Sequence, residues 1–236
     1  MDRKQLKKEA AYLCKNAKPS PILMGLLFSV LTLIVQTLSA GVLGTNISEE
    51  NVSRYLYSLY NGNLERAVEF AGELQPTAAG SLISTMLTVV MWIVTAGFVI
   101  FIMNTIRGSG ASFGNLLDGF GMTWRVILVN LLSGLFIGLL SLLLIVPGVL
   151  FFYGYRQALF LVLDRPELSV MQCLKESRRM MKGHKWELFK LDLSFVGWTL
   201  LAAFIQPVEI WTVPYMKTVY LLYYERLCGR TEPFYE

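Results

Sequence analysis

The side chains with the clearest chemical potential are ionisable groups that fall inside apolar runs: Arg156, Asp192, Glu209 and Lys217. A charge at mid-membrane costs a few kcal/mol and persists where it pairs, lines a polar path or relays ions. Arg156 lies about seven residues from the inner end of its run, and Asp192 about six residues into another from the same side. At ~1.5 Å per residue both sit roughly 10 Å deep, so the two can meet. Such a pair serves either as a gate or ion relay, or as a structural tie between two hairpins. Arg156 can alternatively snorkel inward along its stem. Glu209 and Lys217 share one run but lie ~12 Å apart along it. Pro214, just before Lys217, frees a carbonyl and favours a kink. Lys217 then either lines a polar cavity or reaches a neighbouring carbonyl or carboxylate.

A second set of groups suits anion binding. Residues 169–182 place Lys175, Arg179 and Lys182, with Gln172 and Glu176, on one helical face, and Arg178 adds a further cation. Val170, Leu174, Ser177 and Met181 form the opposite face, and Ser169 with Gln172 has the spacing of a capping box. The opening stretch, 2–18, carries Arg3, Lys4, Lys7, Lys8, Lys15 and Lys18, with Leu6, Ala10, Leu13 and Ala17 at helical spacing. Both read as amphipathic helices suited to the inner leaflet, with Lys175, Arg178, Arg179 and Lys182 addressing anionic headgroups. Trp124 and Trp186 fall at inner ends of apolar runs, where tryptophan anchors a helix at the interface. His184 beside Lys185 reads as a headgroup-facing residue.

Catalytic signatures do not emerge. There is no nucleophile elbow, no HExxH, no P-loop and no pair of carboxylates with a base. Cys14, Cys173 and Cys228 have no CxxC spacing, and His184 is the only histidine, which leaves a zinc site without support. No cofactor is expected, and the activity is expected to be non-enzymatic.

The elements that must position these groups follow from hydropathy. The 236 residues are 54% hydrophobic and 16% charged, with mean hydropathy +0.50. Soluble domains carry about a quarter charged residues. The apolar excess collects in blocks near 20 residues, the length needed to cross ~30 Å of hydrocarbon as a helix. The expected fold is therefore all-α: a polytopic transmembrane bundle of about six spans with cytoplasmic interfacial helices, in one membrane domain. The basic N-terminal helix occupies 1–20, and the spans are 22–44, 80–106, 125–146, 149–163, 186–205 and 208–227. The first is read as uncleaved, because its apolar run is too long for a signal peptide.

Segment 45–79 is poor in Lys and Arg, which places it outside, with short helices resting on the bilayer; its sequons at Asn46 and Asn51 matter only in a glycosylating pathway. The six basic residues of 165–185 place that loop inside, so both termini are cytoplasmic. The net charge of +4 gathers beside spans, which fits topology and anionic lipid and not nucleic acid. Pro147-Gly148 and Gln206-Pro207 mark the ends of the third and fifth spans. Gly134 and Gly138 permit close helix contact. "GMTWR" at 121–125 and "GHKWE" at 183–187 share a Gly-x-x-Trp pattern that opens a span. This suggests three helix-plus-hairpin units, or the recurrence of parts common to membrane chains.

Three passages resemble a known family: the opening "MDRKQLKKEA", the block "SLLLIVPGVLFFYGYRQALFLVLDRPELSVMQCLKESRRMMKGHKWELFKLDLSFVGW", and the closing aromatic span. Together they resemble the bacterial membrane-protein family called domain of unknown function 975. The order P-G, D-x-P-E-L-S, S-R-x-x-M-x-G-H-K-W and L-D-L-S-F-x-G-W is the specific part. The chain departs from the pattern near Asn16, where the family usually has glycine and tryptophan. The resemblance implies an integral membrane protein of bacteria, largely Gram-positive, and brings no established activity. The leading expectation is a protein that organises anionic inner-leaflet lipid or partner membrane proteins. The alternatives are a small-solute transporter or channel, and an accessory or self-protection subunit of another membrane protein.

Overall fold

The structure, a computed structural model, describes residues 3–43, 49–73, 77–143 and 145–230. Every regular element among them is helical. Two compact units emerge, Met1–Ser29 with Trp92–Glu236, and Val30–Met91.

In the smaller unit, α3 (Glu49–Tyr60) and α4 (Leu64–Glu73) pack on each other across a tight turn. Gly62 makes that turn possible with φ +72°, and Asn63 accepts from the Arg66 backbone N–H to cap α4. The short helices expected between the first two spans are thus present. The sequon at Asn46 lies outside the described residues.

The larger unit holds α1 (Arg3–Asn16) and the start of α2 (Pro21–Leu43), which Pro21 opens at a position where no N–H is needed. It continues with the second part of α5 (Ala78–Arg107), then α6 (Asn115–Asp118) and a 3₁₀ turn leading into α7 (Thr123–Leu143). α8 (Ile145–Tyr155), α9 (Ala158–Asp164), α10 (Val170–Met180), α11 (Lys185–Leu193), α12 (Val196–Phe204) and α13 (Glu209–Leu227) complete it. Glycine decides several approaches here. A Cβ on Gly97 would lie 2.2 Å from the Leu116 carbonyl oxygen, and one on Gly119 would lie 2.2 Å from that of Ile93. The glycine-rich segment after α5 therefore folds back along α5, backbone against backbone. A Cβ on Gly148 would lie 2.9 Å from the Ser141 Cα, so α7 and α8 form a close hairpin.

Among the described residues, three helices are long and apolar enough to cross a membrane: Pro21–Gly41, Ala78–Arg107 and Asn115–Ser141. Protein covers few side chains of the first and third, and under half of those of the second. Leu131, Leu135 and Leu139 all lie exposed on α7, and Leu23, Leu33 and Leu38 on α2. Apolar surface on this scale needs lipid around it.

The other three expected spans look different. The run 149–163 is divided at Arg156–Gln157, and 186–205 is divided at Ser194–Phe195. Neither break contains proline or glycine. Ser194 turns its hydroxyl back onto the Leu191 carbonyl at 2.5 Å, a bond that competes with helix continuation. The run 208–227 is the single helix α13, which carries Glu209, Lys217, Glu225 and Arg226. Pro147, expected to end a span, lies instead in the first turn of α8, where its missing N–H costs nothing.

The two basic amphipathic segments form helices, but protein covers their apolar faces. Leu6, Ala10 and Cys14 of α1 are buried where it packs along α13. Val170, Cys173, Leu174 and Ser177 of α10 are buried, and α10 packs on α7, α8 and α9. What these helices present outward is chiefly charge.

Candidate functional site

The first cluster gathers at the two helix breaks. Asp192, near the end of α11, accepts from the Tyr220 hydroxyl of α13 at 2.6 Å and from the Tyr153 hydroxyl of α8 at 3.0 Å. Arg156, in the α8–α9 break, lies 4.9 Å above the Tyr220 ring and 5.3 Å from that of Phe152. Arg156 and Asp192 come to one place, as their depths allow, yet form no ion pair within 4.0 Å. Tyr220 stands between them, giving its hydroxyl to the acid and its ring face to the cation. The adjacent Gln157 is buried, with Nε2 directed at the Met181 sulfur at 3.6 Å and Oε1 without a partner.

Helix α1 closes the other break. Arg3 donates to the Lys190 carbonyl at 3.1 Å and Lys7 to the Ser194 carbonyl at 3.4 Å, at the C-terminal end of α11. Cations at that end meet the negative pole of the helix. Lys7 also lies 4.4 Å over the Phe195 ring. Two basic residues of the opening amphipathic helix are therefore engaged with protein groups. Lys217 and Glu209 are both half-buried on α13 and make no ion pair with each other. Pro214 is accommodated by Gly25 of α2, whose Cβ would lie 2.7 Å from the Ile210 carbonyl oxygen that the proline leaves free.

A second cluster escaped the sequence reading. Arg107, the last residue of α5, contacts both Asp164, the last residue of α9, at 2.7 Å and Glu225 of α13 at 2.5 Å. Arg230 also pairs with Asp164 at 2.7 Å, and the Tyr224 hydroxyl donates to it at 2.7 Å. The carboxylates are almost completely covered, 3% and 2% exposed. Burial pushes the Asp164 pKa up, but bonds from Tyr224 and Arg107, with the charges of Arg107 and Arg230, hold it below the ordinary value. Beside them Arg226 pairs with Glu9 of α1 at 2.5 Å. These groups terminate helices, whereas a search for mid-span charges passes over helix ends. The available signal was the carboxylate of Glu225 inside an expected span.

The third feature is a cationic groove on α10. Ser169 and Gln172 form the capping box anticipated from their spacing. Arg125 donates to the carbonyls of Pro166 and Leu168, fixing the connection that leads into α10. The Ser177 hydroxyl donates to the Gly154 carbonyl at 2.7 Å, locking α10 against α8. Outward, Lys175, Arg178, Arg179, Lys182 and Lys185 line an open groove of about 380 Å³. Arg178 lies 4.6 Å over the Phe151 ring, and Arg179 pairs with Glu176 at 2.7 Å. Lys175, Arg178, Lys182 and Lys185 have no acidic partner among the described residues. Trp124 and Trp186 each occupy the second residue of a helix, α7 and α11, and both are largely exposed. His184, by contrast, is paired with Glu187 at 2.9 Å.

Described residues whose regular elements are all helical, with three apolar helices of membrane length and charge gathered at helix ends, belong to a membrane-associated helical protein. Residues 145–231 match the family model described as "Protein of unknown function (DUF975)", which supports the resemblance over the stretch that holds α8 to α13. No curated protein and no solved structure matches the chain.

Proposed function

We propose that this is a six-crossing protein of the cell membrane, with both termini cytoplasmic, that recruits anionic lipid at the inner face without enzymatic chemistry. The observation that carries this reading is the α10 groove: four cations with no acidic partner among the described residues, Lys175 and Arg178 on a helix whose apolar face is already spent on protein packing, and Lys182 and Lys185 just past its end. Cations left unpaired beside a membrane attract anionic headgroups at about 1 kcal/mol each. The expected spans 149–163 and 186–205 fit this reading as crossings made of two half-helices. The test is native mass spectrometry of the protein released from neutral detergent with phosphatidylglycerol. Reversing Arg178, Arg179 and Lys182 to Glu is expected to strip retained phosphatidylglycerol, and unchanged retention would sink the proposal.

A second reading, a small-solute transporter or channel, draws on Asp192, Tyr153, Tyr220 and Arg156 at the two helix breaks. Broken helices with ionisable residues line substrate paths in transporters. This reading requires solute flux in proteoliposomes that falls on Asp192→Asn; flux indifferent to that change removes it.

A further inference from the structure

We infer that the α10 groove is a binding site for one multivalent phosphate group carried on a membrane lipid, a diphosphate or a dianionic phosphomonoester. This rests on the anionic-lipid reading above and narrows it from attraction for any acidic headgroup to recognition of one compact polyanion.

The number and spacing of the cations carry the inference. Arg178 and Arg179 stand three and four residues after Lys175 on α10, so each stem rises about 5–6 Å from that of Lys175, and Lys182 follows in the turn just past the helix end. Gly183 then turns the chain with φ +87° and brings Lys185 to the same groove. Like charges at this spacing destabilise a helix unless something neutralises them. Glu176 engages Arg179 alone, which leaves four positive charges facing a space of about 380 Å³. A phosphodiester headgroup brings one negative charge, whereas a diphosphate or a phosphomonoester brings two or more with additional acceptor oxygens.

The groove is also partly organised before any ligand arrives. The Arg178 guanidinium rests over Phe151, which fixes its plane and leaves its edge free to donate. Gly154 lies beneath: a Cβ there would stand 3.5 Å from the Arg178 Cγ and 3.8 Å from the Lys185 Nζ. The Ser177 bond to Gly154 and the capping box at Ser169 hold the helix that bears the cations. A lipid source fits better than a free anion because apolar surface begins beside the groove. Trp186 follows Lys185 directly and is 65% exposed. An acyl or isoprenoid chain leaving the phosphate has that surface to lie on.

The experiment uses the full-length protein in phosphatidylcholine nanodiscs doped with phosphatidic acid, a prenyl diphosphate lipid or phosphatidylglycerol. It is run at mildly alkaline pH so that the phosphomonoester is dianionic, and binding is read by titration. The expected result is affinity at least about tenfold higher for the two multivalent lipids than for phosphatidylglycerol, as charge-assisted bonds to added phosphate oxygens predict. Lys175→Gln with Lys182→Gln, both exposed, should abolish that preference, and Lys175→Arg with Lys182→Arg should retain it. Equal affinity for all three lipids, lost together in the Gln variant, overturns this inference and leaves the anionic-lipid reading intact. Absence of any binding above phosphatidylcholine overturns both. Inorganic pyrophosphate alone should compete weakly; competition as strong as that of the lipid forms would overturn the lipid assignment in favour of a soluble anion.

Discussion

Tyr220 donates its hydroxyl hydrogen to Asp192 across 2.6 Å. That bond, with its counterpart from Tyr153, satisfies an acid in an apolar run without an ion pair. The same ring receives Arg156 on its face, so one aromatic side chain serves both charges. Tyr220→Phe keeps the ring for Arg156 and removes the donor from Asp192. The expected cost is about 1–3 kcal/mol, the penalty for a covered acceptor that loses a partner. Thermal unfolding in detergent, followed by fluorescence-detected size exclusion, should show a lower midpoint. Asp192→Asn should partly restore it in the double variant, because an amide tolerates fewer donors.

The Arg107–Asp164–Glu225 network should be more sensitive. Glu225→Ala leaves Arg107 facing Asp164 alone, and Asp164→Ala leaves two arginines around a single acid. Removing one member of a buried charge set costs about 3–5 kcal/mol. Arg107 keeps a third of its side chain in contact with solvent, so the lower end of that range is expected. Denaturation midpoints of the two variants, compared with that of Arg179→Ala on the exposed surface, check this ordering.

The same network sets a pH dependence. The Asp164 carboxyl is held below its ordinary value of 3.8 in the folded protein. A depressed carboxyl stabilises the fold fully above the unfolded value and loses that contribution as pH falls through the folded one. Stability should therefore hold from neutrality to about pH 4 and decline below it. Asp164→Asn should flatten the acid limb of a melting-temperature profile, and an unchanged limb would show that other groups govern it.

Glycine substitutions should divide sharply by position. Gly97→Ala and Gly25→Ala drive a methyl into backbone carbonyls, which cannot move aside as a side-chain tip can. About 1–3 kcal/mol or more is expected for each. Gly134 and Gly138 have nothing within 4 Å, so alanine there should be neutral for folding of the monomer. Expression level and melting midpoint of the four variants supply the comparison.

Cysteine reactivity should be selective as well. Cys14 and Cys173 are buried, and burial raises both thiols above their ordinary pKa. Cys228 is only part-buried, although burial raises it too. A membrane-impermeant maleimide should modify Cys228 first in permeabilised cells and spare intact cells if the C-terminus is cytoplasmic. Rapid labelling of Cys173 in the folded protein would contradict the packing of α10.

Some of this was legible in the residues because it is set locally. The total of apolar residues and their block lengths dictated an all-helical, membrane-associated chain, since hydrophobic length is additive along a sequence. The Ser169–Gln172 capping box, the buried face of α10 and the placement of Trp124 and Trp186 at helix starts depend only on helical periodicity and end effects. Other features needed the tertiary structure. An amphipathic pattern shows that α1 has an apolar face, but whether lipid or α13 covers it depends on what packs beside it. The divisions at Arg156–Gln157 and Ser194–Phe195 carry no proline or glycine to announce them. The second meets long-range partners, Arg3 on Lys190 and Lys7 on Ser194, 187 residues away in each case, and the first meets Tyr220 and Met181. Arg107, Asp164 and Glu225 likewise meet only because three helix ends converge, and Tyr220 of α13 meets both Arg156 and Asp192 only through the folding of α13 beside the two helix breaks. Hydropathy measures what a residue prefers to leave, namely water. Which neighbour it finds instead is decided by the three-dimensional packing of helices distant in sequence.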